Sequence, residues 1–554
     1  MNLLNFQKMN KILFFIGAVI FGSCSNTLSI SSIQNTNKSY ENTKVILEGV
    51  VSGVYQNKGE LAGFFMQHSD LFSTHGIFVH SKKKVHLGDE IRISAKVIEY
   101  KNETRLDSVV SIDVLSKNNS FKTQTLKFPY TSKKMESLEG CLVTIEGNLI
   151  ISDSYSFEKY GQILVSSVDL IQATEIYDAQ NEPLKIDDHI EEQGLSSIIL
   201  DDLSNKQFPL VKTLYLPKKN IVLGAKLKAV KGYVCQKNNI YSIRLVDDLE
   251  VIEPKQELNP DLLGQLKIMS FNLHNLFNGD GEGAKFPTPR GAKTYEDYKK
   301  QLAKLSNAVA FSNPDIIALM EIENDGEDSL STIAQFCVYL NSNSKRNNYK
   351  VAFTNGVAAK DVIKTGIIYD ASKLTTKELG YYHSEPIFSR NPIFQEFVYR
   401  DSLEFVLSVN HFKSKSSRNA KGANIDQKDG QAAFNAKRIL QSQALVSIID
   451  SLHSTKNVLV VGDFNAYSKE DPIQELQSAN LIKLPTQVYS YVYKGRKGDL
   501  DHAFANEQFI GQVKETKVLD INASFPNWID YRFESSDTSY FRSSDHNPLL
   551  IGIY

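Results

Sequence analysis

The chain has 554 residues, 42% of them apolar and 23% charged, with a net charge of −2; at roughly 150 residues per domain this amounts to three or four folded units. The balance is that of soluble globular protein. It excludes a surface that is basic throughout, as a protein dedicated to coating chromosomal DNA would carry, but not a local cationic patch. Four cysteines, Cys24, Cys141, Cys235 and Cys337, are too widely spaced for a zinc site or a disulfide framework; buried free thiols are expected, with a Cys141–Cys235 bridge as the alternative.

Lys8 and Lys11 precede the apolar run Ile12–Phe21, which is too short to span a bilayer comfortably, and Gly22-Ser23-Cys24 follows. Residues 1–24 resemble a bacterial lipoprotein signal, with Met9 as a candidate initiator. The resemblance implies export, lipidation of Cys24 and a place in the outer membrane or at the cell surface; secretion or a periplasmic location behind an ordinary signal is the alternative. The Ser/Asn/Thr-rich stretch 25–43 reads as a flexible tether.

Two segments, 44–127 and 128–253, carry short alternating strands with glycine at turns or bulges. Val45–Val51, Gly63–Gln67, Gly76–Val79 and Leu87–Val97 belong to the first, Cys141–Gly147 and Val222–Val234 to the second. Leu87-Gly88-Asp89-Glu90-Ile91 and Leu223-Gly224-Ala225-Lys226-Leu227 repeat one pattern. This element resembles the strand pair of OB-type barrels that precede many secreted bacterial nucleases, which implies two small all-β OB-like barrels acting as spacers or weak substrate-binding modules. Phe64, Phe65 and Phe78 are expected in the core, not as a platform for bases.

A hydrophilic break at 254–264 leads into 265–554, where strands and helices alternate. Strands are predicted at Lys267–Phe271, Asp315–Met320, Tyr349–Phe353, Ile363–Tyr369, Glu404–Asn410, Asn457–Val461, Asp499–Phe504 and Pro548–Ile553. Helices are predicted at Tyr295–Phe311, capped by Thr294, and at Ser329–Leu340 and Gly430–Ile449. The fold class is α/β (α+β), two packed β-sheets flanked by helices.

Chemistry gathers at strand ends. Glu321 closes the apolar strand Ile316–Met320, where a carboxylate can face a cleft, and Asn272 closes Lys267–Phe271; oxygen donors of this kind suit magnesium, which keeps several waters. Gly462-Asp463-Phe464-Asn465 places a carboxylate and an amide on one side of an extended segment, a water-orienting group beside a phosphate donor. His411 ends its strand and is followed by Lys413 and Lys415, suited to charge growing on a phosphate oxygen. Asp501 is placed to orient His546, with Asp499 on the same face. From His411 to Arg438 basic residues outnumber acidic ones, a local patch suited to a polyanion.

The motifs Ser270-Phe271-Asn272, Met320-Glu321-Ile322-Glu323-Asn324-Asp325-Gly326, Asn410-His411-Phe412-Lys413, Gly462-Asp463-Phe464-Asn465 and Ser543-Ser544-Asp545-His546-Asn547-Pro548 resemble, in order, those of the endonuclease/exonuclease/phosphatase family with the DNase I-like fold. The resemblance implies a four-layer sandwich. Asn272, Glu321 and Asp545 would sit at Mg2+, with Mn2+ or Ca2+ as alternatives, and Asp463 and Asn465 at the attacking water and phosphate. His411 and His546 would flank the scissile phosphate, with Asp501 behind His546, and Lys364, Lys413, Lys415 and Arg438 would contact phosphates. Some duplex-cutting relatives carry an arginine shortly after the metal glutamate, where this chain has Glu323. The expected activity is metal-dependent hydrolysis of extracellular DNA, with RNA also open; the alternative is a phosphodiesterase or phosphatase acting on phospholipid head groups or phosphorylated sugars. The expected partners are a nucleic acid and, through the anchor, a membrane; no protein partner is inferred.

Overall fold

The computed structural model describes residues 27–34, 40–68, 75–204, 206–208, 215, 221–254, 258–343, 348–532 and 537–554. Cys24 and the expected signal lie outside the described residues. Among those described, no helix is long and apolar enough to cross a membrane, and Cys141, Cys235 and Cys337 are buried and form no disulfide.

Period-2 alternation shapes the N-terminal half. Strands Lys44–Tyr55, Gly63–Gln67, Gly76–His80, Glu90–Tyr100 and Glu103–Ser116 close into a barrel in the order first, second, third, fifth, fourth. The third and fifth run parallel and the other neighbours antiparallel. Alternate residues such as Val45, Leu47, Phe64 and Met66 fill the interior. The expected tether is corrected in part: Ile30–Gln34 forms a helical turn whose Ile30 and Ile33, three apart and so on one face, are buried in the barrel core.

The second unit repeats this pairing on broken strands. Leu142–Ile145 pairs with Lys231–Lys237, and Leu149–Asp153 with Lys226–Lys228, so two interrupted strands make one interrupted antiparallel ladder and the nine-stranded path folds back on itself. The expectation of an all-β unit is consistent with this sheet, to which helices are added. Helix Pro183–Leu195, opened by a proline whose missing N–H is no loss in a first turn, packs beside it, with short helices such as Ala173–Ile176. Tyr233 of this unit stacks on Phe65 of the barrel with ring centroids 3.9 Å apart and planes 6° from parallel, and Phe78 joins the same cluster. Phe64 is thus barrel core, and Phe65 and Phe78 belong to the joint between units.

The C-terminal part stacks two sheets. One runs, edge to edge, Tyr349–Val351, Ile363–Asp370, Ile316–Glu323, Leu266–Leu276, Leu549–Ile553, Val513–Val518. The other is centred on Ile393–Tyr399, Leu403–His411, Val458–Asp463 and Asp501–Ala505. The inner faces meet through Ile268, Ile316 and Ala318 against Leu407, Val409 and Val461. Helices Tyr295–Ser312 and Thr332–Asn343 cover Met269, Phe271 and Leu319 outside the first sheet. Asn435–Leu452 and Asp471–Ser478 cover Val406, Val458 and Val460 outside the second. Strands buried on both faces read as continuous apolar runs, and four layers result. Thr294 and Asp297 form a reciprocal capping box at the first helix. The helix expected from Gly430 begins instead at Asn435.

Candidate active site

The site lies where strands of both sheets stop alternating. In Ile316–Glu323, Ala318 and Met320 face the other sheet, whereas Leu319 and Ile322 both face the helices. A bulge between Leu319 and Ile322 accounts for this, with Glu321 at φ +62°, a left-handed conformation unusual for a non-glycine residue. The irregularity takes Glu321 out of the helix-facing set, and its Oε1 comes 3.9 Å from His411 Nε2. Such local strain is typical of functional positions.

His411 and Asp463 are register partners on parallel strands, and Asp463 and Asp501 on antiparallel ones. Gly462 makes that approach feasible: at φ +145°, a Cβ there would lie 2.0 Å from the Asn410 carbonyl oxygen. Asp463 Oδ2 is 3.5 Å from His411 Nε2 and accepts a hydrogen bond from Asn272 Nδ2 at 3.1 Å, while its Oδ1 accepts the Asn465 N–H at 2.9 Å. Asn272 Oδ1 accepts the His274 N–H at 3.0 Å, and Ser544 Oγ donates to the Asn272 carbonyl at 2.7 Å, fastening the terminal Ser-Asp-His segment to the first strand. His546 Nδ1 lies 2.7 Å from Asp501 Oδ2. Asp499 turns the other way, to Thr486 and Ser490.

Burial and neighbouring charge separate the titrating groups. Burial raises Asp463, with Asp501 adding to the effect and His546 opposing it. For His546 burial disfavours charge, but the Asp501 carboxylate and its hydrogen bond outweigh it and hold the imidazole well above its usual range. His411 is driven well below that range by burial and by the Arg390, His546, Arg290 and Lys413 charges. The two environments thus push the histidines in opposite directions, favouring charge on His546 and disfavouring it on His411. Asp545, despite burial, is held below the usual carboxylate range by His274, His546 and Arg542.

Three of the four cations expected at phosphates are engaged elsewhere. Lys364 is buried, its ammonium donating to the Gly326 carbonyl. Arg438 is fully buried and donates to the carbonyls of Ala433 (2.8 Å) and Gln431 (2.7 Å), bracing the loop before its helix. Lys415 is bound by both oxygens of Glu470, itself fully buried; burial pushes the ammonium down to about 8 and raises Glu470. Lys413 stays half-buried beside the site, its ammonium 4.6 Å from the Phe434 ring centroid. Because the Lys415–Glu470 pair is desolvated, removing one member should cost about 3–5 kcal/mol. Lys415→Met and Glu470→Gln singly are expected to lose this much in urea unfolding, and the double variant to recover most of it.

Several contributors escaped the motif reading. His274 Nε2 is 3.9 Å from Asp545 Oδ2; it lies two residues beyond Asn272, where the strand register breaks and His274 takes φ +53°, an irregularity that period-2 alternation does not signal. The Tyr491 ring lies 4.6 Å from that of His546. Arg390, 21 residues from His411 in sequence, donates to the His411 carbonyl at 3.2 Å and pairs with Asp361 at 3.0 Å. Most distant is Glu175, from the second β unit. It accepts the backbone N–H groups of Ser468 (3.2 Å) and Asp499 (3.0 Å) and the Ser468 hydroxyl, while Thr174 Oγ1 donates to Glu470 at 2.9 Å. A neighbouring unit thereby braces the segments that carry Asp463 and Asp501.

Two sheets packed between helical layers, with paired histidines, carboxylates and an amide converging at one edge, define a class of phosphoester hydrolases. Residues 269–546, half of the chain, match the profile of the Endonuclease/Exonuclease/phosphatase family, and the protein belongs to that family, whose members are generally phosphodiester or phosphate hydrolases. Among solved structures, an endonuclease/exonuclease/phosphatase family protein from Bacteroides thetaiotaomicron is similar at 16% identity, over 52% of this chain and 93% of that one, with a TM-score of 0.35. The mannosyl-6-phosphatase of the same species (13% identity, 52% and 100% coverage, TM-score 0.33) and the human Nocturnin catalytic domain (15%, 52% and 93%, 0.33) are also similar. No match was found among curated protein sequences.

Enzymes of this family generally use divalent metals. Among the described residues no three His, Cys, Asp or Glu side chains form a ready-made cage. The donor chemistry nonetheless fits magnesium, which needs one or two carboxylates and retains water. Glu321 is turned out of its strand's alternation, Asp545 is held ionised, and the Asn272 amide oxygen keeps a lone pair beyond its bond to His274.

Proposed function

We propose that the protein is a divalent-metal-dependent nuclease that hydrolyses phosphodiester bonds of extracellular DNA and is anchored by a lipid on Cys24. The observation that carries the reading is the meeting of His411, Asp463, Asn272 and Glu321 within hydrogen-bond or near-contact distance, with His546 and its Asp501 partner alongside. Asp463 is the group placed to take a proton from the attacking water, and Asn465 steadies both that carboxylate and the Phe412 carbonyl. With Nδ1 engaged by Asp501, His546 is left with Nε2–H to donate to a phosphoryl oxygen as its charge grows. Glu321, Asn272 and Asp545 would hold the metal, which when bound neutralises charge on the phosphoryl oxygens. Lys413, Lys437 and Arg290 supply positive charge on the His411 side, which favours a polyanion.

Purified protein is expected to nick and degrade plasmid DNA with Mg2+ or Mn2+ and to leave it intact in excess EDTA. Undamaged plasmid after incubation with ample enzyme and metal rejects the reading, and release of phosphocholine or inorganic phosphate from small substrates would transfer it to the head-group or sugar-phosphate alternative.

A further inference from the structure

Beside His546 and Asp545 the cleft opens into a cavity of about 500 Å3 that the catalytic unit does not enclose alone. Its walls include His274, Tyr491, Tyr493, Arg532 and Arg542 from the catalytic unit and Tyr155 from the second β unit. The volume falls within the range of sites that hold a small molecule or one unit of a polymer.

The joint between the units is built. Hairpin strands Tyr491–Tyr493 and Arg496–Gly498 are tied to the second unit by Gln172 N–H to the Lys497 carbonyl and Lys497 N–H to the Leu170 carbonyl, each 2.9 Å, and by Arg496 Nε to Gln193 Oε1 at 3.1 Å. Gly495, at φ +77°, fits so closely that a Cβ would meet Leu164 at 2.9 Å. Trp528 of the catalytic unit is buried in the second unit's core, 5.7 Å from the Phe157 ring. Phe157 opens the turn of helix that follows Tyr155, whose own N–H donates to Asp153 Oδ1 at 2.7 Å. A preformed wall needs little ordering when a ligand arrives.

On this fixed frame two rings stay open: Tyr155 is 77% exposed and Tyr493 52%. Arg542 donates to the Asn522 carbonyl at 2.9 Å, yet its buried Nε has no hydrogen-bond partner among the described residues, and Arg532 is paired with Asp530. Tyr491 links the cavity directly to His546. Open aromatic faces beside guanidinium groups, one residue away from the reacting centre, match a planar base carried on a phosphate backbone.

We propose that this cavity is a base-stacking subsite for a nucleotide adjoining the scissile phosphate, with Tyr155 of the second β unit as a specificity-determining residue. The proposal rests on the nuclease reading above. Tyr155→Ala, at an exposed position, is expected to raise KM for a short single-stranded oligonucleotide by about tenfold with little change in kcat, and Tyr155→Phe to restore it. An abasic oligomer of the same length should be cleaved equally by both proteins. Unchanged KM in Tyr155→Ala, or an equal loss on the abasic oligomer, overturns the subsite and leaves the nuclease reading intact. A wild-type protein that cleaves no nucleic acid overturns both.

Discussion

Asp463→Asn should lower kcat by about 10³-fold with KM little altered, within the range associated with loss of a positioned acid–base group. The carboxylate is buried and receives three convergent donors or near-donors, from Asn272, His411 and the Asn465 backbone. An amide of the same shape preserves packing but removes the base, and its NH2 must face one of those donors. The fold should survive, so a circular dichroism spectrum and melting curve close to wild type would accompany the loss. Steady-state cleavage of a labelled oligonucleotide measures it, and near-wild-type kcat in a folded Asp463→Asn protein would remove Asp463 from the mechanism.

Replacing the group behind His546 should be nearly as damaging. Asp501 Oδ2 sits 2.7 Å from Nδ1 and opposes the burial that by itself disfavours a charged ring. Asp501→Asn takes away the carboxylate that favours the imidazolium and also permits the wrong tautomer; a loss of about 10²–10⁴-fold in kcat is expected, by the logic of buried aspartate–histidine pairs. His546→Ala should lose at least as much. Because the two act as one device, the double variant should be no slower than His546→Ala alone. Losses that multiply in the double variant would mean that Asp501 acts independently of the histidine.

The site motifs were legible because their chemistry is local. An apolar strand that ends in Glu321, His411 or Asp463 announces a side chain at the rim of a sheet, and the three meet because the two packed sheets present these strand ends at one end of the sandwich. Two packed sheets flanked by helices followed from the proportion of strands and helices, and the four-layer sandwich from the family resemblance. Strands Ile393–Tyr399 and Val513–Val518, outside the sequence reading, are recognised by their neighbours, not by their own pattern.

Charge was the least legible property. In the one-dimensional pattern Lys413 and Lys415 are equivalent, two ammonium groups just after His411. In the folded chain one remains beside the site, and the other is sealed against Glu470, 55 residues further on. Lys364 and Arg438 likewise satisfy carbonyls, since a buried cation must find acceptors wherever the packing offers them. The same holds across units: Glu175 reaches Asp499, 324 residues away, and Tyr233 covers Phe65. Periodicity and strand-end chemistry are written in neighbouring residues, whereas the partner of a buried charge or an aromatic face is chosen by which surfaces come together, whatever their separation along the chain.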